Sequence, residues 1–188
     1  MTNERRRTLL PGEGGEAQSH IEVAGPQQDS ESGDCQCPVL DREDWDGVES
    51  DWSDIEFLRT TVTAVAGVPV GFDTARSKLM AQAEALGATV SEGAMLLIGE
   101  GRFRRPLLLE VDGAPTDHRD VYRPGGVAFT RIAEAPWGEL ARATKRVREE
   151  AIKRYGRPPT DMYAWYLTCR TCSGERSYET LLVAHYRP

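Results

Sequence analysis

No stretch of this chain is apolar for long enough to cross a bilayer. The longest runs, such as Met95 to Ile98 and Leu107 to Leu109, stop after a few residues, whereas a membrane helix needs about 20. A secretory leader is not expected either, because Arg5, Arg6 and Arg7 are followed by Pro11, Gly12, Glu13 and Gly14 where an apolar run would have to stand. Excess basic charge is also missing. The net charge is −7, and residues 1–34 hold 3 of the 23 basic and 7 of the 30 acidic side chains, which leaves 20 against 23, near −3, in the rest. Such a surface releases few counterions from phosphates, so nucleic acid is not an expected partner. The basic cluster of Arg142, Lys145, Arg146, Arg148, Lys153 and Arg154 reads as the solvated face of a helix. The chain has no Gly-x-Ser-x-Gly elbow, no His-Glu-x-x-His pair and no phosphate loop. Of three histidines, His20 falls in the tail, His118 in a loop and His185 near the end of a strand, and the last two read as structural or solvated rather than as parts of a triad. The expectation is a cytoplasmic protein with neither a membrane nor a nucleic-acid partner, whose oligomeric state the sequence leaves open.

What is present suits one soluble domain with a tail: 188 residues, 39% hydrophobic and 28% charged, enough to bury a core without staples. Residues 1–34 are rich in Gly, Glu, Gln, Ser and Pro and read as a disordered tail. Residues 35–56 open on Cys35-Gln-Cys37-Pro38 and continue as an acidic arm carrying Trp45 and Trp52, which suits docking on the domain at 57–188 with little regular structure of its own.

That domain repeats one pattern. Phe57 to Val65 reads as a strand; Phe72, Ala75, Leu79, Ala83 and Leu86 form one helical face closed by Gly87; and Met95 to Ile98 and Leu107 to Val111 form a strand pair. Val127 to Ala133 then reads as a strand, and Pro136 suits the first turn of a helix whose stripe is Trp137, Leu140, Ala141, Thr144, Val147, Ala151 and Ile152. Met162 to Thr168 and Thr180 to Tyr186 close the second unit. Tandem strand-helix-strand-strand units predict an α/β (α+β) fold. Six strands would make a mainly antiparallel sheet, with two helices on one face and a cleft on the other.

Chemistry gathers near residues 162–172. Tyr163, Trp165 and Tyr166 lie in one strand, where period-two alternation puts Tyr163 and Trp165 together and Tyr166 opposite, so only one set can line a groove. Stacking or cation–π contacts with a flat or cationic ligand are what such a wall offers. Glu110, at the end of an apolar strand, and Glu179, opening the last one, are the candidate general acid or base; the plainer reading for such a carboxylate is a surface ion pair. Cys35 and Cys37, with Cys169 and Cys172, supply the four thiolates of a tetrahedral zinc site; a redox dithiol and inert thiols are the alternatives.

The segment Glu134-Ala135-Pro136-Trp137-Gly138-Glu139-Leu140 resembles the Gly-Pro-Tyr-x-x-Leu signature of gyrase-inhibitor-like (GyrI-like) small-molecule-binding domains, with Ala135 for the Gly and Trp137 for the Tyr. The cysteine pairs, the acidic Trp-containing arm and the aromatic strand between them are similar to a bacterial group labelled as hydrolases, in which Pro would stand where this chain has Arg170. The resemblance covers roughly residues 35–188. It implies a cleft used for effector sensing, drug sequestration or hydrolysis of strained electrophiles by a carboxylate among aromatic residues. The expected function is binding of amphipathic or cationic small organic molecules, by Trp137, Tyr163, Trp165 and Tyr166, with hydrolysis as a further step. The alternative is a non-catalytic zinc-stapled interaction module or a redox dithiol protein.

Overall fold

Before the body of the protein comes a short arm. Asp41 caps the one-turn helix α1 (Arg42–Trp45) by accepting from the Glu43 amide, and strand β1 (Glu49–Asp51) follows. The computed structural model describes residues 37–65, 68–115, 117–136, 138–169 and 171–188. The tail read as disordered, Cys35 and Trp137 lie outside the described residues.

β-branched Thr and Val side chains favour a half-buried pleated strand, and they fill β2 (Glu56–Val65), which turns back into the short β3 (Val68–Val70). Helix α2 (Phe72–Ala85) buries Leu79 and Ala83 and ends before Gly87, whose φ of 66° is the left-handed value an αL cap requires. Strands β4 (Leu96–Gly99) and β5 (Arg104–Val111) complete the first unit. After a polar loop carrying the two-residue β6 (Val121–Tyr122), the second unit runs β7 (Val127–Glu134), α3 (Leu140–Tyr155), β8 (Asp161–Tyr166) and β9 (Glu179–Tyr186). Among the described residues no helix is long and apolar enough to cross a membrane.

All pairings are antiparallel and the sheet order is β1-β7-β9-β8-β4-β5-β2-β3, with β6 also on β2. Each unit therefore has the same internal order, first strand, third strand, second strand, and the two second strands meet at the centre. That seam is narrow, with only Ile98 opposite Ala164 and Gly99 opposite Tyr163. A Cβ on Gly99 would lie 2.5 Å from Pro106 Cγ and 3.2 Å from Tyr163 Cε1, so the close approach there needs glycine.

The tandem α+β reading holds, with nine strands among the described residues rather than six. The extra β1, β3 and β6 have three, three and two residues, too few for alternation to register. Helix α3 starts at Leu140 rather than at Pro136, and its buried side chains are Ala143, Val147 and Ala151, while Ala141 and Ile152 face outward. The stripe is rotated from the one expected because Ala143, short enough to sit against the sheet, is the contact residue.

Two cores result. Leu79, Ala83, Ala143, Val147 and Ala151 of the helices pack on Leu58, Leu107, Phe129, Leu182 and Ala184 of one sheet face. On the other face, Phe57, Leu97, Leu108, Tyr163, Trp165, Leu181 and Val183 meet Trp52 and Ile55, with Leu40 and Trp45 packed alongside. This second face is concave. β6 and β9 are five strand spacings apart, about 24 Å in a flat sheet, yet the Arg187 guanidinium, one residue past β9, lies 5.9 Å from the Tyr122 ring centroid.

Candidate functional site

Strand alternation sends Asp161, Tyr163 and Trp165 to the concave face and Tyr166 to the helices, where it meets Phe72 edge-on at 6.3 Å. Tyr163 and Trp165 are each 4% exposed. Left bare, they would form a large apolar patch, and the arm covers them: Trp45 packs edge-on to Trp165 at 6.1 Å, and Trp52 lies 6.5 Å from Tyr163 and 5.5 Å from Phe57. Hydrogen bonds hold the arm in place. The Gly47 amide donates to the Thr130 carbonyl, the Thr130 hydroxyl to the Trp45 carbonyl, and the Trp52 amide to the Gly126 carbonyl. The face on which an open groove was expected thus carries residues 40–55.

At one end of this face the polar groups converge. Register places Asp161 directly opposite His185. Burial of His185 is complete, with Nε2 2.7 Å from the Gly125 carbonyl and Nδ1 3.7 Å from Asp161 Oδ2. Because a carbonyl only accepts, Nε2 carries the proton and Nδ1 the lone pair. Among the described residues neither Nδ1 nor the Tyr122 hydroxyl oxygen, both buried, has a partner at hydrogen-bond distance and angle; Nδ1 faces Asp161, and the Tyr122 hydroxyl faces the Tyr163 phenol. Burial pulls the His185 pKa below its ordinary value, against the opposing pull of the Gly125 carbonyl and Asp161. Burial also raises the Tyr163 phenol, as does the neighbouring Tyr122 phenol, so both groups are neutral near pH 7. Arg187 pairs with Asp161 at 2.8 Å. Its guanidinium and that of Arg59, at 5.3 Å, both lie over the Tyr122 ring.

The two candidate carboxylates lie outside the His185–Asp161 pair. Glu110 is buried on the concave side of β5, where Oε2 accepts from the Met95 amide at 2.8 Å. Glu179 accepts from Arg176 at 2.9 Å and from Arg42 at 3.3 Å, and Arg42 also pairs with Glu134. Glu100, in the β4–β5 turn, pairs with Arg148 at 2.5 Å. The His118 ring accepts from the Asp120 amide within its loop.

Sequence separation hid the thiol cluster's geometry but not its members. Cys37, Cys169 and Cys172 bring their sulfurs within 4.8 Å of one another and could hold a metal ion. The Cys169 and Cys172 sulfurs are 3.9 Å apart, near the ~3.8 Å edge of a tetrahedron with zinc–sulfur bonds of about 2.3 Å. Arg176 fastens the same place, donating to the carbonyls of Leu167 and Pro38, each at 2.9 Å, and so linking the β8–β9 loop to the start of the arm.

The sequence does not single out Asp161, Tyr122, Arg59 or Arg187, and His185 reads there as structural or solvated. The one available signal is the pairing of β8 with β9, which sets Asp161 against His185; β8 starts at Asp161, one residue before the Met162 that the strand pattern marks.

Fold and site together define an α+β protein of two tandem units whose concave aromatic face ends in a buried polar cluster and whose arm meets the sheet at a thiol cluster. A family model described as bacterial hydrolase matches residues 27–184, most of the chain, and the chain belongs to that bacterial hydrolase family. No curated protein and no solved structure matches it.

Proposed function

We propose that the chain hydrolyses small organic molecules at the polar end of its concave face, with His185 as general base. The observation that carries this reading is the His185 Nδ1 lone pair, buried, 3.7 Å from Asp161 and without a well-formed hydrogen bond among the described residues. That gap is too long for a hydrogen bond, and the step proposed sets a water against both groups from the side. In the step proposed, the water oxygen bonds to the electrophilic carbon of the substrate while one water proton passes to Nδ1. The bond to the leaving group breaks, and the leaving group recovers the proton from the imidazolium. Asp161 stabilises the imidazolium in between, and the Gly125 carbonyl keeps the ring in the tautomer that leaves Nδ1 free to accept. The hydroxyls of Tyr122 and Tyr163 offer donors to an oxygen that gains charge.

Family membership supports hydrolysis as the reaction class, and the tandem-unit layout, with α2 and α3 on one sheet face, supports the GyrI-like kinship read from the sequence. Zinc is the proposed occupant of the thiol cluster, with Cys35 as the fourth ligand beside Cys37, Cys169 and Cys172. Its role is structural: a closed four-thiolate site supplies folding free energy by fixing the arm and leaves no open position for substrate. Trp165 and Tyr163 line the face from behind the arm, and Tyr166 lies on the helix side. Glu110 and Glu179 are proposed to position Met95 and the arm, respectively.

The test is turnover of a panel of activated esters and lactones by the full chain. His185→Gln and Asp161→Asn should each lower kcat by a factor on the order of 10² or more, with melting temperature recorded alongside. A panel untouched by the wild-type protein would favour the zinc-stapled interaction module instead, a reading that the thiol cluster and the Arg176 clamp support on their own.

A further inference from the structure

Resting on the reading of this end of the concave face as the substrate site, we infer that the substrate is a small organic carboxylate, recognised by Arg59 and Arg187 across Tyr122. The two guanidinium carbons lie 5.3 Å and 5.9 Å from the same ring centroid, one reached from β2 and one from just beyond β9. Two like charges drawn to one ring repel each other, and only one of them is offset internally: Arg187 pairs with Asp161 at 2.8 Å, while no carboxylate among the described residues comes within ion-pair distance of Arg59. Asp120, the nearest acid in sequence to Tyr122, holds Gln82 at 2.9 Å and Arg119 at 3.8 Å. With His185 neutral, Arg59, Arg187 and Asp161 sum to one positive charge. A monoanion completes that set; a dianionic phosphate would exceed it.

The remaining groups point the same way. Among the described residues neither the Tyr122 hydroxyl oxygen, beside the Tyr163 phenol, nor His185 Nδ1, beside Asp161, has a well-formed hydrogen bond, although both are buried, so a donor that can reach a carboxylate oxygen and an acceptor that can hold a water stand beside the two cations. Their order along the face is a sequence of tasks. Arg59 is exposed, Arg187 about half exposed and Asp161 partly so, whereas His185 is fully buried behind them. The charged end of a substrate would be caught at the mouth, with its hydrolysable bond directed inward toward Nδ1. Tyr163 and Trp52 supply apolar walls there, so the carboxylate is attached to an apolar body. Charge of this sign at the mouth disfavours the cationic ligand that an acidic cleft would have taken.

Binding of 4-fluorobenzoate, the neutral 4-fluorobenzamide and the cationic 4-fluorobenzylamine to the full chain, followed by fluorine NMR, tests this. The benzoate should bind saturably and about tenfold more tightly than the amide, equivalent to one lost charge-assisted contact, and its affinity should fall as salt is raised. Arg59→Gln should weaken the benzoate about tenfold without lowering the melting temperature, because that side chain is exposed; Arg187→Gln should weaken it as well. Benzoate binding that Arg59→Gln does not change, benzylamine binding as tight as benzoate, or no binding of the benzoate at all would each overturn the inference. The hydrolase reading fails separately. Arg59-dependent benzoate binding with no ester turned over removes hydrolysis and leaves the anion site, whereas turnover of neutral esters with no preference for acidic ones removes the anion site and leaves hydrolysis.

Discussion

Trp52 lies over the imidazole of His185, with ring centroids 5.1 Å apart and planes 24° from parallel. The contact joins the arm to the last strand and shuts water out from one side of the imidazole, since Trp52 itself is 2% exposed. Trp52→Ala is expected to remove about 3–5 kcal/mol of unfolding free energy, the range for truncating a buried large aromatic. Urea denaturation would show it as a lower midpoint at unchanged slope. A loss below about 1 kcal/mol would mean that the arm adds little to the fold.

Stability should also depend on pH through His185. Its folded pKa is lowered by burial, so above about pH 6.5 the folded and unfolded chains both carry it neutral and it contributes no slope. Below that value the unfolded chain binds the proton first, and stability falls as pH drops until the lower folded pKa is reached. His185→Gln should flatten this part of the curve. Denaturation midpoints for both proteins between about pH 7 and about pH 5 check it, and a wild-type curve no steeper than the variant's would show that the imidazole is charged in the fold.

The purified, reduced protein is expected to carry about one zinc per chain, as a four-thiolate site would. Cys37→Ser and Cys169→Ser should each abolish it and lower the melting temperature, because metal bound only by the folded chain adds its binding free energy to stability. Metal analysis without zinc, together with thiols that titrate freely in the native state, would leave the cluster as a dithiol or as inert cysteines.

Glutamine at the two glutamates separates roles. Glu110→Gln and Glu179→Gln should each change kcat by less than about tenfold, against a factor on the order of 10² or more for His185→Gln. Glu179→Gln should cost roughly 1 kcal/mol at most, since the pairs with Arg42 and Arg176 are partly exposed. A hundredfold loss of kcat in Glu110→Gln with affinity kept would move the general base to that residue.

Gly99→Ala tests the seam. The added methyl would meet Pro106 and Tyr163 inside van der Waals distance, and overpacking of this kind costs about 1–3 kcal/mol. Equal stability of the variant and the wild type would show that the seam can spread.

The tandem units were legible because each is written in local signals. Leu79 and Ala83 repeat at helical spacing, Gly87 and Gly156 stop their helices in left-handed conformation, and Thr and Val mark β2. Cys37, Cys169 and Cys172 could be paired on chemistry alone, without any knowledge of the path between them. The polar cluster could not. Asp161 and His185 meet only through the β8–β9 register, and Tyr122 reaches Arg187 only because the sheet curls by several strand spacings. Neither relation has a local signature. Tyr163 and Trp165 were correctly set apart from Tyr166 by alternation, yet alternation is silent about what lies on top of a face, and here it is Trp45 and Trp52.

The ladder at the seam is two residue pairs long, while those joining β2 to β5 and β7 to β9 each run for eight. Opening the seam therefore exposes far less hydrogen-bonded backbone than unravelling either unit, and amide hydrogen exchange should report two protected blocks divided by a faster line at Ile98 and Ala164. Besides the two cores, the segment from Trp45 to Phe57 crosses that line, leaving the edge of one block and entering the first strand of the other. In mechanical terms the protein is a pair of jaws held by a strap, and a tether pulling on β1 would load both blocks before it loaded the seam.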